Sequence, residues 1–142
     1  METLGSLCDK LIVVHLKLHH TTSSQSALSL MDQKLKLCNE IDQYIISVKN
    51  GHIKIEDLAI PSEKVYNANI ILSDYHGDIG ELVFELAEIN CNLWHAVDKS
   101  YNFEDVPANQ KDKVVQNLAV LNLQRNKCIE SIDKQFKGMM LL

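Results

Sequence analysis

Two pairs of acids stand at helical spacing in this chain. Glu85 and Glu88 are three residues apart, and so are Glu130 and Asp133. On a helix that spacing sets both carboxylates of a pair on one face, where they can hold Mg²⁺ against a phosphate. The same spacing is common on solvated faces, and a helical wheel turns Glu85 and Glu88 towards solvent. A second group is basic. Arg125 falls near the middle of an apolar face made by Val114, Leu118, Leu121, Ile129, Ile132 and Phe136, with Asn122, Asn126 and Asp133 beside it. Lys34 falls among Met31, Leu35, Cys38, Ile41 and Ile45. Asn90 sits among Leu82, Leu86, Ile89, Leu93 and Val97, and His15 among Leu7, Leu11, Val14 and Leu18. A cation on an apolar face must reach water or meet an acid or a bound anion. One reading is a structural polar layer that fixes helix register. The other is a pocket for an anionic ligand, with Arg125, Lys34, Asn90, Asn122 and Asn126 as donors.

The histidines and cysteines add less. His20 and His95 each close a helix, where the dipole favours a cation and the ring can cap carbonyls. Asp98 follows His95 by one turn and would orient its imidazole as a base. His15 and His19 have a metal-holding spacing but no obvious third ligand. Cys8, Cys38, Cys91 and Cys128 form no CxxC pair and each lies in or beside an apolar stripe, so they read as reduced, buried small hydrophobes. No cofactor is expected.

The elements that carry these residues look duplicated. Leu4-Gly5-Ser6-Leu7, Leu11 and Leu18-His19-His20 recur 75 positions on as Ile79-Gly80-Glu81-Leu82, Leu86 and Leu93-Trp94-His95. Gln33-Lys34-Leu35-Lys36 with Ile41-Asp42 recurs 91 positions on as Gln124-Arg125-Asn126-Lys127 with Ile132-Asp133. Apolar spacing of three and four predicts helices from Thr3 to His20, from about Ala27 to Lys49, from Ile79 to about Ser100 and from about Ala108 to Gly138. A further helical segment is predicted from Ser62 to Tyr75, broken by His76-Gly77-Asp78. In the connector, 50–61, Ile53 and Ile55 alternate like a short extended piece, followed by a turn at Glu56-Asp57-Leu58. The expectation is an all-α antiparallel helical bundle of two repeated hairpins, about 3–49 and 62–138, related by a pseudo-two-fold and forming a single domain over 1–142.

Composition narrows the partners. The chain has 142 residues, 46% of them hydrophobic, and a formal net charge of −5. An acidic chain without a basic run argues against a nucleic-acid partner. No apolar stretch approaches the ~20 residues of a membrane span. Glu2 stands where a secretory signal would be basic, so a cytoplasmic protein is expected. The apolar Met139-Met140-Leu141-Leu142 offers a contact surface.

Three stretches carry a family resemblance. They are Leu4-Gly5-Ser6-Leu7-Cys8-Asp9-Lys10-Leu11, Asn90-Cys91-Asn92-Leu93-Trp94-His95, and Leu121-Asn122-Leu123-Gln124-Arg125-Asn126 continuing to Ile132-Asp133. In them the chain resembles an uncharacterised bacterial helical family, domain of unknown function 4254. The family pattern has a Trp-His pair ending one helix and an LNxxRN-like segment on the next. The first half departs from it: His19 stands where the second copy has Trp94, and Thr22-Ser23 replace acids. The resemblance implies a bacterial, cytoplasmic, all-helical protein, with genes of similar setting found near surface-glycan biosynthesis. It implies no reaction. The acid pairs are similar to those of helical nucleotide pyrophosphohydrolases of the MazG and dimeric dUTPase type, with a longer interval between the two motifs.

Two functional expectations follow. The first is a non-enzymatic module that binds a protein partner or forms a homo-oligomer. The alternative is a Mg-dependent nucleotide pyrophosphohydrolase-like enzyme, or a binder of a phosphorylated small molecule. It would use Arg125 and Lys34 for the anion, Glu85, Glu88, Glu130 and Asp133 for the metal, and His95 as base.

Overall fold

A computed structural model describes residues 2–59 and 75–142. Among the described residues the secondary structure is entirely helical. The α-helices of the described residues are α1 (Leu4–His20), α2 (Ser24–Lys49), α3 (Ile79–Tyr101) and α4 (Lys111–Met140). None of them is long and apolar enough to cross a membrane. The helical segment expected from Ser62 lies, up to residue 74, outside the described residues.

Local chemistry sets the helix ends. Thr3 caps α1 reciprocally: its hydroxyl accepts from the Ser6 N–H, and the Ser6 hydroxyl accepts from the Thr3 N–H at 2.8 Å. Ser23 caps α2 by accepting from the Ser26 N–H, which starts that helix three residues before Ala27. Gly51, at φ +78°, takes the left-handed conformation that ends α2 after Asn50. In the connector, Lys54 is extended and the expected turn is a 3₁₀ turn at Ile55–Asp57, one residue earlier than expected, after which Leu58 is completely buried. A 3₁₀ turn at Ala108–Gln110 delays α4 to Lys111.

α1 occupies the middle. It packs against α2, α3 and α4, and α3 packs along α4. Leu7, Leu82, Leu86, Ile89, Cys128, Ile132 and Phe136 are core residues shared by α1, α3 and α4. α2 joins this core through its C-terminal half. Tyr44 and Val48 are its buried residues, and the Tyr44 ring lies 6.1 Å from that of Phe136.

Here the structure corrects the wheel. Of the expected inner face of α2, through Met31, Leu35, Cys38, Ile41 and Ile45, only Ile41 joins the core. The packing face runs through Leu37, Ile41, Tyr44 and Val48. Met31, Leu35 and Ile45 are exposed, and so is Lys34 among them. The helix carries two apolar stripes, and burial selects the one bearing the large aromatic. His15 is likewise exposed rather than inward. α1 is apolar nearly all round, and its core contacts use the side opposite the expected one as well.

Candidate functional site

Asp9 is the centre of the polar layer. It stands one turn after Gly5 on α1 and is only 4% exposed. Arg125 of α4 meets it with a fork: Nε donates to Asp9 Oδ1 at 2.8 Å, and Nη2 donates to Asp9 Oδ2. Asn90 of α3 donates from Nδ2 to the same Oδ1 at 2.8 Å, and to the Leu86 carbonyl at 3.1 Å. Three donors from two helices therefore converge on one buried carboxylate. The bond to Asp9 raises the Arg125 pKa further, against the opposing effect of burial. The arginine finds an internal acid, as the structural reading of the polar layer requires.

Asp133 lies two turns further along α4 and does other work. Its Oδ1 accepts from the Gly5 N–H at 2.8 Å, and the Thr3 side chain also bonds it. Burial pushes its carboxyl up to about 6, against the lowering effect of those two donors. It is held at the start of α1, away from the Arg125 fork that was expected beside it.

The metal reading is corrected. Asp133 turns to α1, Glu85 is half-buried near Tyr75 and Cys128, and Glu88 is exposed. Among the described residues no group of three or more His, Cys, Asp or Glu side chains is placed to hold a metal ion. Glu85, Glu88, Glu130 and Asp133 are thus not a ligand set. Asp98 does not orient His95: the two are both exposed, with no hydrogen bond between them among the described residues. His20 keeps its helix-end role, with Nδ1 2.8 Å from the Leu16 carbonyl. Its ring also stacks on Trp94, with centroids 4.6 Å apart and planes at 22°.

Arg125 borders two cavities of about 380 Å³ each. One lies between α1 and α2 and is lined by Lys10, Lys17, Lys36 and Glu40 beside the Asp9–Arg125 pair. The other lies between α1, α3 and α4. Asn90, Trp94, Tyr101, Asn122 and Lys17 line it. Of the expected anion donors, Arg125, Asn90 and Asn122 therefore share one cavity. Lys34 does not join them. It lines a separate, mostly apolar cavity of about 340 Å³ with Leu11, His15 and Cys38. Asn126 is half-buried and makes no bond to Asp9.

The sequence reading missed Asp9, Lys17 and Tyr101. Asp9 had a signal: Ile12, Val13 and Leu16 follow it at helical spacing, so an acid sits on a second apolar face of α1. Lys17 and Tyr101 are exposed and carry no pattern. No family model, curated protein or solved structure matches this chain.

Proposed function

We propose that this chain is a non-enzymatic, self-associating helical module, with the outer stripe of α2 as its contact surface. The observation that carries this is the exposure of Leu28, Met31 and Leu35, at 70%, 53% and 67%. With Cys38 and Ile45 they fall at alternating steps of three and four, the seam spacing of paired helices. Asp42 occupies one seam position, where a polar residue sets register at some cost in stability. The occupant is a second copy of α2. Leu28, Met31, Leu35, Ile45 and Ile46 offer roughly 500 Å² of exposed apolar surface per copy, so two copies bury about 1,000 Å² before any rim is counted, close to the lower bound of stable interfaces.

The test is sedimentation of the full chain over a range of concentrations. A dimer is expected at tens of micromolar, and Leu28→Glu with Leu35→Glu should give a monomer of unchanged helix content. A wild-type chain that stays monomeric at 100-fold higher concentration would sink the proposal.

The same reading keeps the two-hairpin antiparallel bundle, the single domain and the cytoplasmic setting. Support for the hairpins comes from the packing of α1 on α2 and of α3 on α4. We also propose membership of the bacterial family, domain of unknown function 4254. Each of the three stretches that carry the resemblance gives one member of the Asp9, Asn90 and Arg125 cluster. Bacterial homologues in which these three positions vary independently would remove that support.

A further inference from the structure

The two cavities beside Arg125 adjoin. Val13, Lys17 and Arg125 line both, so these three side chains are the part of the cleft common to its α2 side and its α3 side. Its ends differ in chemistry. On the α2 side Lys10, Lys17, Lys36 and Arg125 outnumber Asp9 and Glu40. Lys10 is paired to Glu2 and Lys36 to Asp32, but both are exposed pairs that an anion can displace at little cost. The Arg125 fork uses Nε and Nη2 on Asp9, which leaves Nη1 outside that pair. On the α3 side the walls are Trp94, Tyr101, Leu93 and Val97, with the Asn122 amide among them and Asp98 at the edge. Trp94 is steadied by the stacked His20 ring. A flat ring can stack on an aromatic side chain of this wall, and an amide can read its polar edge. About 380 Å³ per cavity is within the range of small-molecule sites.

We infer that this cleft binds a nucleotide, with the base on the Trp94 and Tyr101 side and the phosphate at Lys17 and the outer edge of Arg125. The binding is independent of self-association through α2, and no chemical step is assigned to it.

Trp94 is the only tryptophan in the chain, so its fluorescence reports on this cavity directly. The full chain is titrated with adenosine monophosphate, adenosine diphosphate, adenosine and inorganic phosphate, with thermal unfolding as a second readout. Saturable change of Trp94 emission is expected with the nucleotides, with adenosine and phosphate each about tenfold weaker. Lys17→Ala should weaken the nucleotides about fivefold and leave adenosine unchanged, whereas Tyr101→Ala should weaken both. Lys17 and Tyr101 are exposed, so both variants should unfold at the wild-type temperature without ligand. No change in emission and no thermal shift at millimolar nucleotide overturns the inference. So does phosphate binding as tightly as the nucleotides, or Lys17→Ala binding them like wild type.

Discussion

The Gly5 amide donates to Asp133 Oδ1 at 2.8 Å, and α1 and α4 are so close there that a Cβ on Gly5 would stand 2.6 Å from the Ile129 carbonyl oxygen. That oxygen is backbone and cannot swing aside. Gly5→Ala must therefore push α1 off α4 and strain the Asp133 bond, at a cost of about 2–4 kcal/mol. Gly80 stands at the matching place in Ile79-Gly80-Glu81-Leu82, 75 positions on, yet a Cβ there meets nothing within 4 Å. Gly80→Ala should be neutral or stabilising by up to about 1 kcal/mol, since alanine favours the helix. Urea unfolding of both variants checks this. Equal effects would mean that the close approach does not distinguish the two positions.

The Asp9–Arg125 pair predicts an asymmetry between single and double substitution. Arg125→Met leaves a buried carboxylate with Asn90 as its remaining side-chain donor, and should lose about 3–5 kcal/mol. Asp9→Leu strands the Arg125 charge, but that side chain is 34% exposed and can turn to water, so the loss is smaller. Together the two substitutions should cost clearly less than their sum, because no charge is then left unpaired. Additive losses would show that the fork contributes little beyond the separate side chains.

Asp133 makes stability depend on pH. Its carboxyl stands at about 6 in the fold against an ordinary 3.8, so the folded chain holds a proton that the unfolded chain has released between those values. Stability from this group is therefore greatest below about pH 4 and falls as pH rises through about 6. The loss is at most about 3 kcal/mol at neutral pH. Asp133→Asn keeps an oxygen for the Gly5 amide and removes the titration. Its stability relative to wild type should be highest at pH 7 and decline towards pH 4. A difference that stays flat across that range would contradict the buried, titrating carboxyl.

Helix positions were legible because spacing and caps act locally. Thr3, Ser23 and Gly51 set their ends by chemistry that a few neighbouring residues supply. Which face of α2 turns inward was not legible, because Leu37-Ile41-Tyr44-Val48 and Leu28-Met31-Leu35-Cys38 are both apolar stripes. The packing of α2 on α1 and the contact of Tyr44 with Phe136, far away in sequence, decide between them. The same limit applied to the polar residues. The wheel found Arg125 and Asn90 as misfits on apolar faces, but it could not supply Asp9, which answers them from across the fold. It also set Asp133 near Arg125, when two turns of helix and the α1 N-terminus separate their roles.

The four cysteines should react in an order set by burial. All four are free thiols; Cys128 is fully buried and the other three are half-buried. The Cys128 Sγ–H donates to the Leu82 carbonyl at 3.3 Å, and burial pushes its pKa up to about 11. Burial also raises Cys8, with Asp133 and Asp9 adding to it. The thiolate is the reactive form, so Cys8 is suppressed by charge state and Cys128 by both access and charge state. Iodoacetamide at neutral pH should label Cys38 and Cys91 first, Cys8 more slowly, and Cys128 only when the chain unfolds. Mass spectrometry of peptides over time reads this order. Early labelling of Cys128 in a chain that still unfolds cooperatively would place α3 and α4 further apart than the Leu82 contact allows.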